Sequence, residues 1–228
     1  CAAASARGVT RVRTQASWRD HGMLRFFARN GFELSRHPVL DASAADAARA
    51  LEGDGDEEPM GPEGGEVDYS RPAHDGATLA RDRVDVRVMT SDDVASVRRI
   101  DRGLTGRDRG AYLDATAREA LDAPGIRVSL VARLDGVVVG YAMARADYGD
   151  FGRPEPVAVL DTVGVDRSYG RRGVGTALLS QLFVNLAALR VERVETVVSR
   201  EDFALLSLLY RAGFGTSRAL AFERSTAP

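Results

Sequence analysis

Two closely spaced glycines at the start of an apolar helix are the residues of this chain best suited to binding chemistry. Residues 170–179 read Gly-Arg-Arg-Gly-Val-Gly-Thr-Ala-Leu-Leu and follow a strand predicted at 157–165. Glycines let the backbone approach a ligand, and the free N–H groups and positive dipole end of a helix point to the same place. A diphosphate suits such a turn. The spacing matches neither the G-x-G-x-x-G fingerprint nor a P-loop, and a purely structural turn is the alternative.

The elements that must position this turn form one α/β unit over about residues 84–226. Asp135-Gly136 predicts a hairpin, and Pro124-Gly125 ends the helix before it. The predicted order is β-α-α-β-β-β-α-β-α-β, with strands at 84–88, 127–134, 137–146, 157–165, 191–198 and 216–223 and helices from about 91 to 102 and at 108–121, 173–189 and 202–211.

This order and two of its motifs resemble the GNAT superfamily of N-acetyltransferases. Arg-Arg-Gly-Val-Gly at 171–175 resembles the family's motif A, and a late helix ending in Gly213-Phe214 resembles motif B. Gly170 departs from the pattern, because the family usually has Gln or Arg there. The resemblance implies a mixed central sheet flanked by helices, acetyl-CoA as acyl donor, an amine acceptor and no metal.

The resemblance also implies where acetyl-CoA binds. The diphosphate would contact the backbone at the glycine turn, and the pantetheine arm would lie along the end of the preceding strand. The N–H of Val165 would donate to the thioester oxygen, where charge develops in the transition state. The residues assigned to the cofactor are Val163, Gly164, Val165, Arg171, Arg172, Gly173, Val174, Gly175 and Thr176.

Direct transfer to an amine needs a general base, and Asp161 is the first candidate. It is the only acid within 157–165, and period-two alternation places it on one face with Val159, Val163 and Val165. A carboxylate in an apolar strand is expected to have a raised pKa. A carboxylate held by structural hydrogen bonds is the alternative, and Glu155 is the second choice for the base.

The family's usual general acid has no direct equivalent. A Tyr is expected four residues before Gly213, where this chain has Leu209. Its neighbour Tyr210 is turned about 100° around the helix. The alternatives are that Tyr210 acts as the general acid, that water does, or that the domain does not catalyse.

The loop at 147–156 is a candidate acceptor site. It mixes acids, among them Asp147 and Asp150, with Tyr148 and Phe151, and this composition suits a cationic amine. Tyr112 and the segment 107–109 would form the opposite wall. A solvated surface loop is the alternative.

Residues 6–36 repeat residues 188–218 without gaps, with thirteen of 31 positions identical. We therefore interpret residues 1–41 as the end of a first GNAT-like domain and residues 83–226 as a complete one. Residues 42–82 are interpreted as a flexible linker, since eight acids and no basic residue lie between 52 and 68. The repeat suggests a homodimer, or a pseudo-dimer with an upstream GNAT domain.

Composition excludes several function classes. A net charge of −2 argues against a nucleic-acid partner, and the three histidines lack metal-ligand spacing. No apolar run is long enough to span a membrane and no signal peptide is evident, so a cytoplasmic location is expected. The predicted function is transfer of an acetyl group from acetyl-CoA to a primary amine, and a non-catalytic acetyl-CoA-binding module is the alternative. Small amines, aminoglycosides, amino acids and protein amines all stay open as acceptors.

Overall fold

The computed structural model describes residues 10–53, 84–122, 127–147 and 156–226. Strands in these ranges are β1 (Arg11–Ser17), β2 (Glu33–Leu34), β3 (Val39–Ser43), β4 (Asp85–Val88), β5 (Arg127–Leu134), β6 (Val137–Asp147), β7 (Val157–Val165), β8 (Arg193–Val197), β9 (Gly215–Thr216) and β10 (Ala219–Ser225). Helices are α1 (His21–Arg29), α2 (Ala44–Gly53), α3 (Val94–Thr105), α4 (Gly110–Asp122), α5 (Val174–Ala188) and α6 (Phe203–Arg211). None of the helices in the described ranges has the length and apolar character needed to cross a bilayer.

Seven strands form the larger sheet, in the order β4-β5-β6-β7-β8-β3-β9. Every neighbouring pair is antiparallel except β7 and β8, which are parallel. Helix α5 covers one face, where Leu178, Leu182 and Phe183 are fully buried. Helices α3 and α4 cover the other face through Val97, Ile100, Leu113 and Ala117. This mixed sheet between helices confirms the predicted fold class.

Strands β7 and β8 separate after a short contact. Their pairing is limited to Val157–Val159 opposite Arg193–Glu195, although β7 continues to Val165. Just beyond the paired residues, the Thr196 hydroxyl donates to the Leu160 carbonyl at 3.0 Å. The rest of β7 therefore has one edge on β6 and the other edge on a gap, and α5 starts a few residues after that edge ends.

The two copies of the sequence repeat exchange their last strands. β3, from the first copy, lies between β8 and β9 of the second, while β10, from the second copy, lies between β1 and β2 of the first. The register is also repeated: Val39 lies opposite Val197, and the equivalent residues Ala221 and Gln15 lie opposite each other. Val39 and Leu40 are buried in the larger sheet, so the first copy supplies part of the core of the second.

Helix α2 occupies residues that were predicted to belong to the linker at 42–82. It packs against α5, and its Ala47 and Leu51 are buried. Its apolar residues recur at helical spacing just after β3, and burial of this face stabilises the helix. The predicted start of the linker at residue 42 is therefore wrong by at least ten residues, and the acidic segment from 54 onwards lies outside the described residues.

Candidate active site

The turn between β7 and α5 begins with a capped 3-10 turn at Arg167–Tyr169. The carboxylate of Asp166 accepts from the N–H of Ser168 at 3.0 Å and forms an ion pair with Arg99 at 2.8 Å. These contacts hold the start of the turn in place. The chain then reverses through Arg171 and Gly173, whose φ angles are +59° and +76°.

Gly173 is the N-cap of α5 and has no side chain to cap the helix. The first hydrogen bond within α5 runs from the Ala177 N–H to the Gly173 carbonyl at 2.9 Å. The N–H groups of the three residues before Ala177 therefore have no partner within the helix. Such a group of N–H donors at the positive end of a helix is suited to an anion.

The two glycines of the motif are required for different structural reasons. Gly173 needs its positive φ, whereas a Cβ at Gly175 would lie 2.8 Å from Cδ2 of Leu208 on α6. Gly175 therefore allows α6 to approach the first turn of α5. The guanidinium of Arg172 lies over the ring of Tyr169, 5.4 Å from its centre. Both Arg171 and Arg172 are solvent-exposed.

The open edge of β7 presents backbone donors to the gap between β7 and β8. The Asp166 N–H donates to the Val139 carbonyl of β6 at 2.8 Å. Hydrogen-bonded and non-hydrogen-bonded pairs alternate along an antiparallel ladder. The N–H groups of Val165 and Val163 therefore point away from β6, into the gap. The N–H of Gly164 points towards β6 instead. Because Gly164 has no Cβ, the side chains of Tyr141 and Leu104 can pack closely against it.

Asp161 lies in a β-bulge, which period-two alternation did not predict. Thr162 pairs with Met143 and Leu160 pairs with Ala144, so Asp161 has no opposite residue on β6. A bulge shifts the alternation of faces by one residue. Val163 and Val165 accordingly pack towards α5, while Asp161 faces Arg127 and Arg145 on the opposite side. The expectation that Asp161 shares a face with Val163 and Val165 is therefore wrong.

The Asp161 carboxylate is largely buried and has weak partners. Its side chain is 17% exposed, and its oxygens lie 3.6 Å from Nη1 of Arg127 and 3.9 Å from Nε of Arg145. Both distances exceed a hydrogen bond. Burial raises the pKa of Asp161, and the positive charges of Arg145 and Arg127 only partly oppose this. A buried carboxyl with a raised pKa and free lone pairs is suited to accept a proton.

A polar network beneath the site was not predicted from the sequence. Asp101 of α3 is buried and forms an ion pair with Arg109, and it also accepts from the Tyr141 hydroxyl at 2.7 Å. Arg109 reaches Thr162, the residue after Asp161, at 3.3 Å. The network ties α3 and α4 to the bulge of β7. The feature of the sequence that could have revealed this network is Asp101, an acid on the apolar face of α3 directly after Ile100.

Arg109 also lies over the Tyr112 ring, 5.6 Å from its centre. Burial and the charge of Asp161 raise the pKa of Tyr112. The structure therefore brings Tyr112 and Arg109, both proposed as acceptor wall, near Asp161. Most of the acidic loop proposed as the other wall, including Asp150 and Glu155, lies outside the described residues.

Tyr210 lies on α6, where its side chain is half exposed, while its neighbour Leu209 is fully buried in the core. The structure thus places an apolar residue at the position where the family has its Tyr. Among the described residues no group of His, Cys, Asp and Glu has the arrangement of a metal site.

Residues 96–214, just over half of the chain, match the model of the acetyltransferase (GNAT) family. A GCN5-related N-acetyltransferase from Sphaerobacter thermophilus superposes with a TM-score of 0.52 at 20% identity, over 96% of this chain and 61% of that protein. A tandem GNAT protein from the clavulanic acid biosynthesis pathway superposes with a TM-score of 0.55 at 16% identity, over 100% of this chain and 67% of that protein.

A putative GNAT acetyltransferase from Desulfovibrio desulfuricans superposes with a TM-score of 0.52 at 18% identity, over 63% of this chain and 99% of that protein. No curated protein matches the chain in sequence. The structural relatives share the fold, and the family model matches the segment that carries the glycine turn, the open edge of β7 and the bulge. The chain is a member of the GNAT acetyltransferase family.

Proposed function

We propose that this protein transfers an acetyl group from acetyl-CoA to a primary amine by direct attack. One observation carries the proposal: β7 opens away from β8 just where the Asp161 carboxylate lies, and beyond its open edge are the first N–H groups of α5, which have no partner within the helix. Donors for an acyl-CoA and a proton acceptor for an amine therefore border the same strand segment.

Each part of the site has a role in this reaction. The N–H groups of residues 171–176 bind the diphosphate, and the edge of β7 at Val163 pairs with the amides of the pantetheine arm. The amine nitrogen bonds to the thioester carbon, and the Val165 N–H stabilises the negative oxygen. Asp161 takes the proton of the amine. The carbon–sulfur bond then breaks, and the thiolate leaves with a proton from water or from Tyr210.

A base matters because the acceptor is charged at neutral pH. An alkyl ammonium with a pKa near 10.4 is deprotonated at pH 7 only at a free-energy cost of about 5 kcal/mol. A positioned carboxylate lowers this barrier by removing the proton within the complex. The free lone pairs of Asp161 suit it to that role.

The cofactor site is tested with Gly173→Asp, which places a negative charge where the diphosphate would bind. Gly106→Asp is the matched control, because Gly106 also has a positive φ and has open space around it. Calorimetry with acetyl-CoA should show binding to the parent protein and to the control, and at least tenfold weaker binding to Gly173→Asp. Equal binding by all three would show that the diphosphate lies elsewhere.

A second candidate function is acetyl-CoA binding without turnover. The burial of Leu209 and the exposure of Tyr210 favour it, because neither residue presents an acid to a leaving thiolate. Free-thiol release separates the two functions. Tight acetyl-CoA binding with no thiol release for any amine would support the binding module.

A further inference from the structure

The candidate base is surrounded by arginines. Arg127 and Arg145 come from β5 and β6 and flank the Asp161 carboxylate, and Arg109 lies against Tyr112 beside them. Each of these residues lies on the face of the sheet that α3 and α4 cover. In the described part of the chain, an acceptor amine that reaches Asp161 therefore comes close to three guanidinium groups.

The three arginines differ in how well their charges are compensated. Arg127 forms an ion pair with Glu119, and Arg109 forms one with buried Asp101. Among the described residues Arg145 has a single ionic partner, Asp161, at 3.9 Å. Its side chain is half exposed, and no hydrogen bond in the described structure occupies its guanidinium. Asp147, two residues further along β6, has an interaction of its own.

The proposed reaction would leave Arg145 without a counter-ion. When Asp161 takes the proton of the amine it becomes neutral, and Arg145 then faces a neutral carboxyl. A negative group on the acceptor, close to its amine, would replace the lost charge. The planar guanidinium binds a carboxylate through two parallel hydrogen bonds, so it is well suited to this group.

We propose that the acceptor is a free α-amino acid, whose amine lies at Asp161 and whose carboxylate binds the guanidinium of Arg145. This inference rests on the proposed function and names its substrate class. A polycationic acceptor such as an aminoglycoside would bring further positive charge towards Arg145, which disfavours it. A bound carboxylate would also offset one of the positive charges that weaken Asp161 as a base.

Beside Arg127 lies a cavity of about 240 Å³ whose walls combine apolar residues, among them Met89 and Leu121, with the polar residues Thr90, Ser129 and Asn185. The probes are leucine and phenylalanine, because each can be paired with the amine that lacks only its carboxylate, isoamylamine and phenethylamine.

The test compares each amino acid with its paired amine on the full chain, with acetyl-CoA as donor and free thiol as readout. At least one amino acid should exceed its amine about 10- to 100-fold in kcat/KM, the range expected for a hydrogen-bonded charged group. Arg145→Gln should remove this preference, while activity toward the paired amine should stay the same or rise, because one charge that weakens Asp161 as a base is lost. Arg118→Gln, which changes an exposed arginine of α4, should keep it. The inference would be overturned if the amines or an aminoglycoside were acetylated as well as the amino acids are. It would also be overturned if Arg145→Gln kept the preference for the amino acids.

Binding gives a second readout that does not require turnover. Calorimetry of leucine and phenylalanine with the protein–CoA complex should show binding that Arg145→Gln weakens by a similar factor. Amino-acid binding without thiol release would contradict the proposed function and support this inference. Acetylation of amines without any preference for a carboxylate would support the proposed function and contradict this inference. Failure of both amino acids to bind in calorimetry would overturn the inference.

Discussion

Replacement of Asp161 by Asn tests the chemistry of the site most directly. Asn keeps the size and shape of the side chain but cannot take a proton from an amine. A positioned general base contributes about 10²–10⁴ to the rate, or roughly 3–5 kcal/mol of barrier. We expect kcat for an amine of high pKa to fall by this factor at pH 7, with acetyl-CoA binding unchanged.

The structure also predicts the effect of this substitution on folding. Burial raises the pKa of Asp161 more than its two arginines lower it, so the charged form is less favourable in the folded than in the unfolded protein. For an acid with a raised folded pKa, stability falls as pH rises through that pKa. A neutral Asn removes this penalty. The melting temperature at neutral pH should therefore stay the same or rise, which separates a catalytic loss from misfolding.

The assay is thiol release as a function of pH, with calorimetric unfolding measured in parallel. In the parent protein kcat/KM should rise with pH through the raised pKa of Asp161, and Asp161→Asn should lack this limb. The difference in kcat/KM between Asp161→Asn and the parent protein should become smaller at alkaline pH, where the amine loses its proton to solvent. Asp114→Asn, at a partly exposed carboxylate of α4, is the control. Undiminished turnover of Asp161→Asn with an amine of high pKa would refute the assignment and favour Glu155 or water.

Two further predictions follow from exposure and burial. Tyr210→Phe should lower kcat less than about tenfold, because the half-exposed Tyr210 is a poor general acid; a loss near a thousandfold with intact acetyl-CoA binding would identify Tyr210 as the acid. Leu40→Ala should lower the free energy of unfolding by about 2–5 kcal/mol, whereas Leu34→Ala, at a side chain that is 60% exposed, should change it by less than about 0.5 kcal/mol. Equal effects of the two substitutions would show that β3 does not belong to the larger sheet.

The local features of the site could be predicted from the sequence. Gly173 and Gly175 between an apolar strand and an apolar helix predicted the strand–turn–helix unit, because backbone conformation and periodicity depend on neighbouring residues. The mixed sheet was implied by the resemblance of the order of elements to the GNAT fold. Asp161 could be singled out, since it is the only acid in its strand. Its surroundings could not, because Arg127 and Arg145 reach it from two other strands.

The tertiary structure alone decided which face Asp161 occupies and which strands pair. A bulge arises from the register between two strands, so alternation along β7 by itself does not reveal it. The exchange of β3 and β10 was equally hidden. Because the two strands occupy equivalent positions in a repeat, sequence favours neither partner for either strand. The choice depends on the packing of both copies together, which places Leu40 of the first copy in the core of the second.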